Sequence, residues 1–309
     1  MWFKNLFVYR LINWVNTIEQ FEANLAQYAL VACGGGDVST RGWIAPKIEN
    51  PSLVHTVGGH LLIALGTEKK LLPSSVVNQF AKLRAAEMEE REGYKPGRKQ
   101  MKEIKETVLN ELLPRAFVIR STTYAWIDPV NHWLIVDSAN ASKAEDLMSV
   151  LLKSMGDASV LPLKTQSPPA TAMTTWLADN HNPAQLTVDQ DCELQGKGEQ
   201  RASVRYAKHT PDPEELLKHI QSGKVVSRLA MTWADRVSFV LHDNLQIKRV
   251  SPLSVLKENH TLHHDDDAFD TDFVLMAGEL NNLLQALIDA LDGELTPKTP
   301  PLAQTKTTA

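Results

Sequence analysis

The sequence predicts an α+β fold of antiparallel sheets with packed helices, into which a helical hairpin is inserted. Two helical segments follow each other between residues 73 and 114, and strand-like segments flank them on both sides. Near the end of the chain, three strand-like runs are separated by short joints, which predicts an antiparallel meander. These runs are Val225–Trp233, Val237–Leu241 and Leu245–Val250. A length of 309 residues indicates two or three domains.

The first segments of the chain predict a strand, a helix and a second strand. The strand spans residues 6–11, and an amphipathic helix spans residues 18–30. The triple glycine at 34–36 and Trp43 are expected in loops, and the second strand covers residues 60–65. Because no helix clearly follows the triple glycine, we interpret it as a flexible turn and not as a phosphate-binding loop.

Residues 73–114 predict a helical hairpin with one apolar and one basic face. The first helix begins near Ser74, whose side chain can cap free backbone N–H groups. Residues 93–97 turn the chain, because Pro96 lacks a donor and its glycine neighbours permit unusual dihedrals. A second helix follows and stops at Pro114. Its apolar stripe is Met101, Ile104, Val108 and Leu112, and its basic stripe is Arg98, Lys102 and Lys105, preceded by Lys95.

The charge of this region differs in sign from that of the whole chain. Residues 81–120 contain ten basic and seven acidic side chains, whereas the chain has a net charge of −5. A local reversal of sign indicates an anionic partner, and nucleic acid is one candidate. The alternative is a solvated helix face with Glu–Lys pairs one turn apart, which is common in proteins. Composition leaves both interpretations open.

After the hairpin, the pattern changes to strands and then to one helix. The strands are expected at residues 116–119, 123–127 and 133–137. A helix capped by Ser142 runs to Met155. We therefore predict a central α+β domain made of residues 1–72 and 115–164, with residues 73–114 as a helical insertion.

A second α+β domain is predicted for residues 165–295, after a proline-containing boundary. Before the meander, a helix at 170–178, a strand at 201–206 and a helix at 213–221 are expected. A helix at about 271–291 closes the domain, in a segment where residues 265–294 carry nine acidic and no basic side chains. Nucleic acid would repel this segment, so its leucines indicate core or a subunit contact. The Pro/Thr-rich tail at 296–309 is predicted to be disordered.

The cysteine content and the first residues indicate a cytoplasmic protein. Cys33 and Cys192 are far apart and match no metal or redox spacing, so we expect free thiols in a reducing compartment. Lys4 and Arg10 interrupt the apolar residues at the start, so that segment is interpreted as neither a signal peptide nor a membrane span. No membrane partner is expected.

One cluster in the sequence has the composition of a metal site. Residues 260–267, HTLHHDDD, offer three imidazoles and three carboxylates, which could bind zinc or manganese. The alternative is a solvated polar loop before the last helix, because metal sites usually place their ligands at fixed spacing on a scaffold. No nucleophile elbow or phosphate-binding loop is present in the sequence. Accordingly, neither catalytic residues nor cofactors are predicted.

Five blocks of the sequence, in the same order, resemble the family of the bacterial recombination-associated protein RdgC. They are MWFKNLFVYRL at 1–11, LLPRAF at 112–117, the stretch from Trp126 to Asp146, GKVVSRLAMTW at 223–233 and FDTDFVLMAGEL at 269–280. The resemblance extends almost end to end, to about Glu294.

The resemblance implies a DNA-binding protein without catalytic activity. Members of this family form a head-to-head, tail-to-tail homodimer that closes into a ring with a positively charged hole for duplex DNA. Each subunit resembles a horseshoe with a tip, a centre and a base. By this likeness the hairpin is the tip, and the acidic carboxyl-terminal helix belongs to the base.

The resemblance also implies roles for individual residues. In the LLPRAF block, Arg115 matches the family's DNA-facing arginine and Phe117 matches its gate phenylalanine, which contacts the second subunit. From residue type alone, a core position for Phe117 and a surface ion pair for Arg115 are equally open. Lys224 of the GKVV block, Arg205 and Lys208 are further candidates for the lining of the hole.

The favoured hypothesis is a homodimeric ring that encircles duplex DNA without sequence preference and restrains recombination by the RecA recombinase. Such a protein would be associated with the nucleoid. A second hypothesis is a metal-dependent nucleic-acid enzyme that uses residues 260–267. A third is a protein-interaction scaffold whose hairpin binds partner helices.

Overall fold

The computed structural model of the protein describes residues 1–12, 14, 17–155, 159–196, 202–209, 212–257 and 265–295. Its strands are β1 (Asn5–Ile12), β2 (Ser39–Ile44), β3 (Val54–Val57), β4 (His60–Leu71), β5 (Phe117–Asp128), β6 (Trp133–Asp137), β7 (Ser159–Pro162), β8 (Leu186–Gly196), β9 (Ser203–Tyr206), β10 (Lys224–Trp233), β11 (Val237–His242) and β12 (Ile247–Pro252). Its α-helices are α1 (Ile18–Ala26), α2 (Ser74–Glu92), α3 (Arg98–Leu112), α4 (Ala141–Met155), α5 (Pro169–Ala178), α6 (Pro213–Gln221), α7 (Ser254–Lys257) and α8 (Asp265–Ala290).

The described strands join a single sheet and pair in antiparallel fashion. The order is β2-β4-β5-β6-β1-β12-β11-β10-β8-β9, with β3 also on β4 and β7 also on β1. The predicted class, a mixed fold with antiparallel sheet and packed helices, is therefore confirmed. The sheet runs through both predicted domains, and β1 and β12 join its two halves through only two residue pairs, Asn5–Lys248 and Leu6–Ile247.

The first half of the sheet, from β2 to β1, is covered on both faces. Alternate residues of each strand point to opposite faces. One set, which includes Ile63 and Ala125, packs against α1 and α4. The other set, which includes Leu62 and Trp126, packs against α8. Strands that are buried on both sides need continuous apolar runs, and the LLIAL segment of β4 is such a run.

The second half of the sheet, from β12 to β9, is covered by helices on one face. Inward residues such as Met231 and Phe239 share a core with α5, α6 and α8. The opposite face carries polar and charged side chains and is accessible, as the exposed Arg228 shows. Helix α8 contributes to the core of both halves, and its leucines confirm the predicted core role of the last helix.

Several sequence expectations are confirmed and others are wrong. The meander β10-β11-β12 is confirmed, as are two free cysteines. Trp43 does not lie in a loop but in β2, because this segment pairs with β4, and its buried ring donates a hydrogen bond to Ser154 of α4. The two strands expected at 116–119 and 123–127 are one strand, since β5 pairs with β4 without interruption.

The predicted helix boundaries also need correction. Pro73 occupies the N-cap position of α2, and Ser74 is already helical, so its side chain is not the cap. The N–H of Ser142 donates to Oδ1 of Asn140 (2.8 Å), which makes Asn140 the capping residue before α4. Helix α1 ends at Ala26, four residues earlier than expected. Strand β8 had no counterpart in the prediction. The tail at 296–309 lies outside the described residues.

Candidate nucleic-acid interface

Helices α2 and α3 form the predicted helix pair, and the turn between them has a clear physical basis. Gly93 ends α2 in the left-handed region (φ 79°), and its N–H donates to the carbonyl oxygen of Glu89. The N–H of Gly97 donates to Oε1 of Gln100 (3.0 Å) and so caps α3. On α3, Val108 is buried and the other three residues of the apolar stripe are half-buried. The predicted apolar face of α3 is therefore confirmed.

The predicted basic stripe lies in solvent. Lys95, Arg98, Lys102 and Lys105, here called the hairpin surface, are all exposed. Lys102 lies 3.7 Å from Glu106, one turn along the helix. In the part of the chain that the structure describes, the other three have no ion-pair partner. By contrast, Arg84 of α2 is paired with Glu111 of α3 (2.9 Å). The hairpin surface thus keeps most of its positive charge available to a ligand.

The chain between α3 and β5 exposes both residues of interest in the LLPRAF block. Leu113 is buried, and a short 3-10 turn at Leu113–Arg115 begins with it. Arg115 is exposed. Phe117 begins β5 and is 82% exposed, so it is not a core residue of the subunit. It pairs with Leu71 of β4, and Ile119 is the next residue on the same strand face. We call Leu71, Phe117 and Ile119 the ribbon patch, because all three are exposed apolar residues.

The other face of this β4–β5 ribbon is closed by the loop that contains the triple glycine. The N–H of Cys33 donates to Oε2 of the buried Glu68 (2.8 Å), and Nε of Arg120 donates to Oε1 of the same carboxylate (2.8 Å). The hydrogen bond from the Cys33 N–H and the positive charges of Arg120 and Lys70 lower the pKa of Glu68, although burial of the carboxylate acts in the opposite direction. Arg120 is therefore engaged within the subunit, whereas Arg115 has no carboxylate partner among the described residues.

A second group of cations lies on the accessible face of the second half of the sheet. Arg205 on β9, Arg228 on β10, and Lys248 and Arg249 on β12 line a cavity of about 200 Å³, which we call the sheet cleft. Asp191 and Glu193 of β8 lie in the same cavity. Four cations against two carboxylates give the cleft a positive balance.

The positive charges of this cleft act on the imidazole of His242. It is half-buried on β11, and its pKa is lowered to about 4 by burial and by the positive charges of Lys248, Arg228 and Arg249. A histidine with this pKa is neutral at physiological pH and adds no charge. Lys248, Arg228 and Arg249 all act on this one imidazole, so an anion entering the cleft would offset positive charge that is concentrated there.

Of the three predicted hole-lining residues, only Arg205 belongs to the sheet cleft. Lys208 is exposed in a turn after β9, and its backbone N–H donates to Oδ1 of Asp191 (2.6 Å). Nζ of Lys224 donates to Oγ of Ser222 (3.1 Å) and lies 3.4 Å from Nδ1 of His219, at the end of α6. Helix α6 packs on the covered face of the sheet, so Lys224 is apart from Arg205.

Arg228, Lys248 and Arg249 were not predicted from the sequence. Arg228 lies within a mostly apolar strand. Because alternate residues of a regular strand share a face, the sequence assigns Arg228 to the same face as Val226, which is buried. The consecutive cations Lys248 and Arg249 were the only available signal, and alternation assigns them to opposite faces. Both assignments fail because the strands are irregular at these positions.

The structure adds two observations on other kinds of site. Among the described residues, no three His, Cys, Asp or Glu side chains are grouped as they would be around a metal ion. The HTLHHDDD cluster lies outside the residues whose side chains the structure describes. In the same part of the chain, no helix has the length and apolar character required to span a membrane.

Comparisons with known proteins agree with the resemblance seen in the five sequence blocks. A family model described as "Putative exonuclease, RdgC" matches residues 1–294. A "Recombination-associated protein RdgC" from Herminiimonas arsenicoxydans is 50% identical over 301 residues, covering 96% of this chain and all of the relative. Those from Bordetella pertussis and Cupriavidus necator are 52% and 51% identical over 297 residues, covering 95% of this chain and 99% of each relative. This chain belongs to the RdgC family of recombination-associated proteins.

Proposed function

We propose that this protein binds double-stranded DNA without sequence preference, encircles it as a homodimeric ring, and thereby restrains RecA-dependent recombination. Its curated relatives are named as recombination-associated proteins, which supports a role in DNA recombination. The ring, the contact with DNA and the antagonism with RecA are our own proposals. A protein that acts in this way is associated with the nucleoid.

The observation that carries the proposal is the exposure of unpaired cations on a chain of net charge −5. Lys95, Arg98, Lys105 and Arg115 are exposed, and within the described residues they have no carboxylate partner. Lys and Arg that contact phosphates release condensed counterions, which gives affinity without reading the sequence. An acidic protein with local basic surfaces can therefore bind DNA through those surfaces alone.

The ribbon patch supports self-association. Exposed clusters of large apolar side chains on soluble proteins frequently mark interaction sites, and aromatic residues are enriched at the centres of interfaces. Phe117 is a large aromatic side chain that is 82% exposed, and it lies two residues after Arg115 of the proposed DNA surface. Contact between two copies through this patch would close one side of a ring. A closed ring retains DNA topologically, which a modest basic patch cannot do.

Covering the duplex would restrain RecA without any contact between the two proteins. DNA inside a ring is not accessible to a recombinase filament or its strand-exchange partner. The antagonism is therefore proposed as functional, with double-stranded DNA and a second copy of this chain as the direct partners.

The first test is duplex binding across a salt series, with Arg115→Ala and Phe117→Ala compared with the wild type on linear and closed circular DNA. The logarithm of affinity should fall with that of salt by about 0.9 for each phosphate contact. Arg115→Ala should flatten this slope by about one contact. Phe117→Ala should leave the slope unchanged but shorten residence on circular DNA, because it weakens ring closure.

Two substitutions provide matched controls. Arg84→Ala removes an exposed arginine of the helix pair that Glu111 already neutralises, so it should change the slope less than Arg115→Ala. Ile48→Ala removes an exposed apolar side chain outside the ribbon patch and should not shorten residence. Binding that is absent, or that does not depend on salt, contradicts the proposal and favours the protein-interaction scaffold.

A second candidate function is nucleic-acid cleavage, because the description of the matching family model includes the word exonuclease. The candidate residues in the sequence are those of the HTLHHDDD cluster at 260–267. Metal analysis of the purified protein followed by a nuclease assay tests it. Stoichiometric metal, together with cleavage that is abolished in His263→Ala, would establish this activity beside or instead of ring formation.

A further inference from the structure

The sheet cleft contains a lateral row of polar side chains from four neighbouring strands, three of them charged. Arg205 of β9 is directly opposite Glu193 of β8, Glu193 is opposite Arg228 of β10, and Arg228 is opposite His242 of β11. Adjacent strands lie about 4.8 Å apart, so each side chain of the row is a direct neighbour of the next. The row therefore alternates cation, carboxylate, cation and neutral imidazole across an accessible sheet face.

A strand irregularity places Arg228 in this row. Val226 is opposite Leu194 and Arg228 is opposite Glu193, so Ser227 is an extra residue in β10. In a regular strand, residues 226 and 228 would share a face. Here Val226 and Leu229 are both buried while Arg228 is exposed. The bulge lets the core keep its apolar residues and still turns the guanidinium towards the cleft.

A second irregularity has the same result on β12. The pairing with β11 shifts between Ser238 and Val240, and Arg249 has a positive φ of 53°. Ile247 and Val250 are both buried, and Lys248 and Arg249 between them both line the cleft. Residues other than glycine seldom adopt such a backbone conformation, and here it accompanies the extra residue of the bulge. Two separate bulges thus direct cations into one cavity.

Glu193 is positioned between the cations that the cleft would offer to a ligand. Its Oε2 lies 3.3 Å from Nη1 of Arg228, and Arg205 is its neighbour on the other side. The Glu193 side chain is mostly covered, whereas that of Arg228 is half exposed. Asp191, the other carboxylate, accepts the N–H of Lys208 and so holds the turn after β9. Glu193 is therefore the carboxylate that an incoming anion would have to replace.

We propose that the sheet cleft is a phosphate-binding site for the DNA backbone, in which Glu193 competes with the phosphate for Arg228. The inference rests on the proposed function, because it assigns a second contact to the same DNA. A phosphodiester carries one negative charge on two free oxygens, so it can take over the guanidinium contacts that a carboxylate makes. In the free protein Arg228 remains paired with Glu193. When a phosphate binds, Arg228 leaves Glu193 and contacts the phosphate.

The test is a double-mutant cycle on duplex DNA of mixed sequence with Glu193→Gln, Arg228→Gln and the combined variant. Glu193→Gln should bind about 1.4- to 5-fold more tightly, the factor that corresponds to removing one partly exposed ion pair. Arg228→Gln should weaken binding and flatten the salt slope by about 0.9. The combined variant should behave like Arg228→Gln alone, because Glu193 acts only by holding that guanidinium.

Helix α6, on the covered face of the same half of the sheet, provides matched controls. Glu214→Gln removes one negative charge, as Glu193→Gln does, and Lys218→Gln removes one positive charge, as Arg228→Gln does. Both residues are exposed and lie away from the cleft. Both should leave affinity within the error of the wild type. The resonances of His242 give a local readout, because a phosphate near Lys248 and Arg249 should raise the low pKa of this imidazole.

The possible results separate this inference from the proposed function. Wild-type protein that does not bind duplex DNA overturns both. Wild-type binding with no gain in Glu193→Gln, or an equal gain in Glu214→Gln, overturns the inference and leaves the proposed function standing. If Glu193→Gln still increases affinity in the Arg228→Gln background, the inference is also overturned. Glu193 would then not act by competing with the phosphate for Arg228.

Discussion

The hairpin surface and the sheet cleft are both basic, but they are built in different ways. The four cations of the hairpin surface come from eleven consecutive positions, 95–105, and project from one helix and the turn before it. The four cations of the sheet cleft come from three strands between residues 205 and 249. The first is open to solvent with few partners, and the second has a carboxylate among its cations and the protein core beneath it.

This difference determines what each surface can do. Cations on an exposed helix face offer attraction with little geometric constraint, which suits binding without sequence preference. Cations fixed on bulged strands keep defined positions, so their contact with a phosphate depends on what else occupies the cleft. We expect the hairpin surface to supply most of the salt-dependent attraction and the sheet cleft to hold one part of the DNA backbone in place.

The largest expected effect comes from changing the packing beneath each surface. Phe239 is buried under the sheet cleft, and Phe239→Ala should lower the free energy of unfolding by about 3–5 kcal/mol. Val108 is buried between the helices of the pair, and Val108→Ala should lower it by about 1–2 kcal/mol, from the methyl groups removed. Denaturant unfolding measures both values. Equal decreases would contradict the expectation that the packing beneath the sheet cleft contributes more to stability than the packing within the helix pair.

A smaller effect is expected when charges are removed from each surface as a set. Changing the four residues of the hairpin surface to Gln should flatten the salt slope of DNA binding by about 0.9 for every phosphate that these side chains no longer neutralise. The same change at three cations of the cleft, Arg205, Arg228 and Arg249, should flatten it less, because fewer cations are removed and the cleft is expected to hold only one part of the DNA backbone. Melting temperature serves as the control, since the hairpin residues are exposed. A larger change from the cleft variant would reverse the assignment of roles.

The smallest effect concerns pH and is confined to the sheet cleft. His242 has a pKa of about 4 in the folded protein, below its ordinary 6.5, so the unfolded chain takes up the proton first as pH falls. The contribution of this group to stability is therefore full above pH 6.5 and is removed between 6.5 and 4. In His242→Gln this part of the acid destabilisation should be absent. Urea unfolding at about pH 7 and about pH 5 measures it. An unchanged pH dependence in His242→Gln would show that the pKa of His242 is not lowered in the folded protein.

Much of the fold could be predicted from the sequence where structure is local. Helix α6 has the predicted bounds, Pro213–Gln221, because a proline in the first turn, an aspartate cap at Asp212 and two glutamates all act within one turn. The apolar stripe of α3 was predicted for the same reason, since a helix keeps residues three and four apart on one face. Exposure of the hairpin surface follows from the same periodicity.

The strands show where prediction from sequence fails. Strand β8, LTVDQDCELQG, is largely polar because one of its faces lies in the accessible cleft, so it has no apolar run to reveal it. Strand β2, STRGWI, is short and polar apart from Trp43 and Ile44. Both are strands because their neighbours β10 and β4 supply hydrogen bonds from residues far along the chain.

Residues that are neighbours along the chain were enough to identify the family, most of the helices, the two-helix insertion with its basic face, and the LLPRAF block with Arg115 and Phe117. Three findings required the folded chain: Phe117 is exposed, Lys224 lies apart from Arg205, and cations from β9, β10 and β12 share one cavity. The reason is that strand pairing and two bulges set which face each side chain takes, and both are fixed by contacts between distant segments.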